Sequence, residues 1–178
     1  MNFSKFHKRQ GFSMIEVVLY VSLFSLMSVL TLEALFLTVT AFTNLRISRD
    51  INDSSVKIME RLTRDIKSAT AIDMANSVFG ADPGTLTLST VNASGTPLTV
   101  QYVMVGNALH LKEGTSVATL VDKGSLLSSK TSVSGVLYKR IDVGSTVAVK
   151  IDLHITASRG SVIDTDHFYN TVILRGTY

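Results

Sequence analysis

The chain has 178 residues, 46% hydrophobic and 17% charged, with 11 Gly, 2 Pro and no Cys or Trp, a composition that suits one domain plus an additional segment and is not that of a disordered tail. Without cysteine, a disulfide framework, a thiolate zinc site, a c-type haem attachment and a cysteine nucleophile are excluded, while the compartment stays open. The formal net charge is +3, yet Lys5, Lys8 and Arg9 account for all of it: past residue 11, 17 − 3 = 14 basic side chains face 14 acidic ones, so the basicity belongs to the amino terminus and does not describe a polyanion-binding surface.

In chain order, the basic stretch MNFSKFHKRQG comes first. From Phe12 to Leu45 the only charges are Glu16 and Glu33, and no Pro or Gly interrupts the run. About 20 apolar residues in a helix cross a bilayer, so residues 12–45 are long enough to span one. A secretory signal peptide closes its apolar run after roughly 7–15 residues, and this run is much longer. Ser22, Ser25 and Ser28 recur at threes, followed by Ala34, Thr38 and Ala41; they either mark faces where helix backbones approach closely or are hydroxyls tolerated in a membrane helix.

Residues 46–75 are expected to continue the same helix into water. From Arg46 to about Ala69, Ile51, Ser55, Ile58, Leu62, Asp65 or Ile66, and Ala69 keep a three-four spacing, which predicts one apolar stripe. On the polar side, Asp53 with Lys57 and Glu60 with Arg64 are acid-before-base pairs at i,i+4. After Asn76 the pattern changes to short β-branched runs separated by Gly, Ser, Asn and Asp: TLTLSTV, LTVQYVMV, ALHLKE, VATLV, VAVKIDLHITA and FYNTVILR, which predict strands over residues 76–178. Gly106-Asn107 is a two-residue hairpin signal, Asp82-Pro83-Gly84 reads as a turn, and GSLLSSKTSVSG near residue 130 reads as a loop. The expected fold is therefore α+β, a long N-terminal helix packed on an antiparallel sheet.

Little else in the chain points to chemistry. His7, His110, His154 and His167 show no metal-ligand spacing, and no zincin, P-loop or nucleophile-elbow motif occurs. No catalytic residue, cofactor or metal is assigned, and enzymatic activity is not expected. Asp164, Asp166 and Asn170 offer oxygen donors of the kind calcium takes, without a loop of fixed spacing.

The informative junction is KRQGFSMIEVVLY, Lys8 to Tyr20. Basic residues lead to Gly11 and Phe12, then to a glutamate four residues later, then to unbroken apolar sequence. A carboxylate near the start of a membrane helix is costly unless a positive partner meets it; if the chain were cut after Gly11, the new amine of Phe12 in a neighbouring subunit would be one. This combination resembles the type IV pilin-like proteins. The resemblance implies cleavage between Gly11 and Phe12 by a membrane prepilin peptidase, with residues 1–11 as leader, N-methylation of Phe12, and Glu16 as the residue that guides subunit docking. RLTRDIKSAT, the VQYVMVGNALHLKEG hairpin and TVILRG look like the larger minor pilins and J-like minor pseudopilins. Two features depart from the pattern. The helix lacks the proline many major pilins carry about twenty residues past the cleavage point, and Glu33 lies near that place; it is read as a pairing site with a neighbouring helix, against a carboxylate that snorkels or is held protonated.

The expected function is that of a minor pilin or pseudopilin, a structural subunit of a type IV pilus or of a secretion or competence pseudopilus, in its tip or initiating complex. The implied partners are prepilin peptidase, other pilin subunits through the helix, the cytoplasmic membrane and the pilus assembly platform, with the sheet domain extracytoplasmic. Two alternatives stay open: an unprocessed membrane-anchored binding module, and a DNA-capturing competence tip subunit built on Lys130, Lys139, Arg140 and Lys150. The neutral charge past residue 11 argues against much non-specific DNA affinity.

Overall fold

Hydrophobic spacing changes along one uninterrupted helix, and the packing follows it. The computed structural model describes residues 13–127, 130–144 and 146–175. Helix α1 runs from Met14 to Ser68, 55 residues, and the chain divides after Phe42 into two units. In the first, the Ser13 carbonyl accepts the N–H groups of Glu16 and Val17 at 3.0 and 3.2 Å and starts the helix. None of the described residues up to Phe42 is buried.

In the second unit, α1 buries Ile47, Ile51, Ser54, Ser55, Ile58, Leu62 and Ile66, the three-four stripe that places one helix face against a core. The helix stops at Ser68, short of the residue 75 expected from sequence. The Ser68 hydroxyl donates to the Asp65 carbonyl at 3.1 Å, and the N–H of Thr70 donates to Ser89 O at 2.8 Å, which draws the chain into a strand.

Two antiparallel sheets face that stripe. The first has five strands in sequence order: β1 (Ala71–Ile72), β2 (Leu86–Val91), β3 (Pro97–Val105), β4 (Ala108–Gly114) and β5 (Val121–Ser125). The second has three, also in sequence order: β6 (Thr131–Val143), β7 (Thr146–Arg159) and β8 (Val162–Ile173). Leu86, Leu88, Tyr102 and Leu109 from the first sheet join Val136, Tyr138, Ile151, Leu153 and Val172 from the second in one core with the helix stripe. The expected α+β class holds. The Gly106-Asn107 hairpin joins β3 to β4, with Gly106 at φ +62°, a left-handed conformation that glycine adopts without steric cost.

Three sequence readings change. TSVSG, expected in a loop, begins β6, because β7 supplies a full ladder from Thr131↔Ala157 to Val143↔Thr146 and tertiary pairing overrides weak local propensity. VATLV is not a strand: Val117–Thr119 form a 3-10 turn and β5 starts at Val121. β8 begins at Val162, ahead of the FYNTVILR run.

A bulge between Val133 and Gly135 explains the glycine in β6. A Cβ on Gly135 would lie 2.5 Å from Asp82 Oδ2, and Asp82 Oδ1 accepts the Val136 N–H at 3.0 Å. Gly84 and Gly80 donate backbone N–H groups to Val136 O and Tyr138 O at 2.7 and 2.9 Å. The Asp82-Pro83-Gly84 bend thus satisfies polar groups along the free side of β6 and ties the β1–β2 connection to the second sheet.

Helix and sheets are also joined by polar links. Asp65 Oδ2 accepts the Tyr102 hydroxyl at 2.6 Å and Arg61 Nε–H at 2.8 Å, while Arg61 Nη2 donates to Glu113 at 2.9 Å. Arg159 reaches Asp50 at 3.0 Å, Ser54 meets Thr131 at 3.0 Å, and Asn170 donates to Thr63 at 3.0 Å. The helical ion pairs are Arg49–Asp53, Arg61–Asp65 and Arg64–Asp65 rather than the two acid-before-base pairs expected from spacing. Asp65, held by Tyr102, collects both neighbouring arginines.

Burial pushes both the Tyr102 and Tyr138 phenols far up; at Tyr102 the hydrogen bond to Asp65 adds to the effect. Tyr138 Oη is buried with no hydrogen-bond partner among the described residues. Tyr102→Phe is therefore expected to cost about 1–3 kcal/mol, while Tyr138→Phe is neutral or stabilising. Both phenols stay protonated in the folded state, whereas the unfolded chain releases those protons above about pH 10. This part of the folded stability is fully present below that pH and falls as the pH rises above it. Denaturant unfolding between pH 8 and 11 checks this: the double Phe variant should lose that part of the slope.

Candidate functional site

The first candidate site is the N-terminal half of α1. Glu16 lies in the first turn, where the positive end of the helix dipole favours a carboxylate. Among the described residues its side-chain partner is the Tyr20 hydroxyl, 3.4 Å from Oε1, a long and weak contact. Gly11 and Phe12, the expected cleavage and methylation positions, lie outside the described residues. Glu33 is exposed. Helical geometry separates it from Glu16 by about 25 Å along the axis and roughly 100° around it, so the two carboxylates serve different faces.

Large side chains around this half are exposed: Ile15 is 76% exposed, Phe24 75% and Leu37 72%. The segment is one helix long and apolar enough to cross a membrane, by length and composition. Four of its hydroxyls bond back to their own helix backbone. Ser22 donates to Leu19 O at 2.8 Å, Thr31 to Met27 O at 2.7 Å, Thr38 to Ala34 O at 2.7 Å and Thr40 to Phe36 O at 3.0 Å. Bonded in this way, a hydroxyl sits in an apolar medium without an unsatisfied donor.

The other candidates lie on the second sheet. Lys139 and Lys150 are cross-strand partners. Arg140 alternates to the opposite face and pairs with Asp142 at 2.8 Å, and Lys130 precedes the far end of β6, about 30 Å from Lys139 along an extended strand. The four basic residues do not form one patch. The calcium donors separate as well: Asp164 and Asn170 sit on one continuous strand, about 20 Å apart at 3.3 Å per residue. The Asn170 carbonyl oxygen accepts the Thr171 N–H at 2.8 Å and its amide is held by Thr63, so these three residues cannot converge on one ion.

The sheet does bring together residues that the linear spacing kept apart. His154 on β7 stands opposite His167 on β8, with ring centroids 4.0 Å apart, and His154 Nε2 lies 3.0 Å from Asp152 Oδ1. One ligand atom from each of Asp152, His154 and His167 falls within 4.8 Å of the others. The signal available in the sequence was the D-x-H alternation within IDLHI, which places both side chains on one strand face; the partner on β8 depends on cross-strand register. His110 pairs separately with Asp122 at 2.8 Å, and the Gly124 N–H, with His110 after it, holds the Asp122 carboxyl below its usual range.

In comparisons with family models, curated proteins and solved structures, nothing matches the chain.

All buried core residues lie past Phe42. A chain beginning at Thr43 is expected to unfold cooperatively and to stay monodisperse without detergent, whereas the full chain requires detergent or lipid. Light scattering with thermal unfolding checks this, and aggregation or loss of cooperative unfolding in the shortened chain would contradict it.

Proposed function

We propose that the chain is a minor pilin or pseudopilin, a structural subunit whose apolar helix half first sits in the cytoplasmic membrane and then enters a helix bundle at the core of a filament. The observation that carries this reading is a single unbroken helix with two kinds of surface: uncovered apolar side chains and a first-turn carboxylate in one half, and a stripe buried under two sheets in the other. A large apolar surface left uncovered requires lipid or like helices. A carboxylate at the start of such a helix requires a cation.

On this reading the prepilin peptidase cleaves between Gly11 and Phe12 and methylates the new terminus. The Phe12 amine of one subunit then meets the Glu16 carboxylate of its neighbour in a low-dielectric bundle, where a pair of unit charges is far stronger than in water. The apolar faces supply association, Glu33 pairs with an adjacent helix, and the sheet domain stands on the extracytoplasmic side. The individual character of that domain and the absence of a helix proline favour a tip or initiating role over that of the main repeating subunit.

Glu16→Ala leaves the neighbouring amine buried and unpaired, a cost of about 3 kcal/mol or more, equivalent to over about a hundredfold in docking. The variant should accumulate in the membrane at normal levels and disappear from sheared filaments, as read by immunoblot of both fractions. Unchanged incorporation would count against the filament reading and in favour of a membrane-anchored binding module.

A further inference from the structure

The outward face of the second sheet holds a cluster that the subunit role does not use. Asp152 and His154 are two residues apart on β7 and so share one face, and the β7–β8 register sets His167 directly opposite His154. Asp152 and His154 side chains are 22% and 26% exposed, half-sunk in the sheet surface, while His167 is exposed, its ring between those of His154 and Tyr169. Thr156 and Thr165, hydrogen-bonded to each other at 2.8 Å, flank the pair on one side. Lys150 flanks it on the other, its ammonium 5.9 Å from the centre of the Tyr169 ring.

We propose that Asp152, His154 and His167 form a binding site for a single Zn²⁺ ion, with three protein ligands and a fourth position open to water or to a donor from another molecule. Two imidazoles and one carboxylate are a donor set suited to zinc and its transition-metal neighbours and unsuited to calcium or magnesium, which take oxygen ligands. A tetrahedral zinc with bonds of about 2.0–2.2 Å holds its donors roughly 3.3–3.6 Å apart. The pair Asp152 Oδ1 and His154 Nε2, at 3.0 Å, is already close to that spacing, and the whole set lies within 4.8 Å. Rotation of the exposed His167 side chain supplies the remaining closure. Asp152 contributes the negative charge that offsets the ion, whereas Lys150 and its cross-strand partner Lys139 oppose it.

The test is zinc binding by the untagged full-length chain in detergent micelles at pH 7.5, using isothermal titration and metal analysis after equilibrium dialysis against zinc chloride. The expected result is one zinc per chain, retained in millimolar calcium or magnesium, weakened at least about tenfold by His167→Ala and by Asp152→Asn, and unchanged by His110→Ala. Because His167 is exposed, its variant should keep the far-ultraviolet circular dichroism of the parent. Zinc should also shift the imidazole resonances of His154 and His167 and leave those of His110 in place. Absence of binding at tens of micromolar zinc, or equal weakening by His167→Ala and His110→Ala, would overturn the site.

Discussion

The packing of α1 sets the terms for the rest of the molecule. One backbone carries an apolar surface on every side up to Phe42 and a single apolar stripe from Ile47 to Ile66. A stripe can be covered by a sheet; a helix that is apolar all round is covered on all sides only by more protein or by a membrane. The sheets pack on the stripe of the C-terminal stretch. Ile51, Ile58, Leu62 and Ile66 are fully buried there, and the polar residues beside them are tied by Asp65–Tyr102, Asp50–Arg159 and Thr63–Asn170. These links set the register of the helix on both sheets, since an apolar stripe by itself tolerates sliding.

The same constraint gives Glu16 its importance. Among the described residues its side chain has a long contact to Tyr20, in a segment where charge is otherwise confined to Glu33. Surface carboxylates need no explanation; one at the head of a helix long enough to cross a membrane does. On the proposed reading a cation supplied by a neighbouring copy would be the partner of Glu16, and it would also set the axial stagger between subunits, because one charged pair defines one position along otherwise featureless apolar helices.

Much of the fold was legible in the sequence because its signals are local. The three-four spacing from Ile51 to Ala69 named the buried stripe, and Gly106-Asn107 named the β3–β4 hairpin. Alternation in VAVKIDLHITA separated the buried Val149, Ile151, Leu153 and Ile155 from the outward Lys150, Asp152 and His154. Where signals are non-local, the reading failed. TSVSG has weak strand propensity of its own and becomes β6 because β7 pairs with it and Asp82 fills the space beside Gly135. The meeting of His154 with His167 depends on a cross-strand register that no spacing along the chain reveals, and the dispersal of Asp164, Asp166 and Asn170 follows from β8 starting at Val162, ahead of the expected FYNTVILR run. Asp65 stood in the sequence as an alternative to Ile66; its place under the Tyr102 hydroxyl required the first sheet.

The central claim is that the chain is processed into a filament subunit, and the most direct measurement is the intact mass of the protein recovered from membranes of cells with and without a functional prepilin peptidase, followed by amino-terminal fragmentation. The account predicts a chain beginning at methylated Phe12 only when the peptidase is present. A chain still beginning at Met1 in peptidase-competent cells would contradict it.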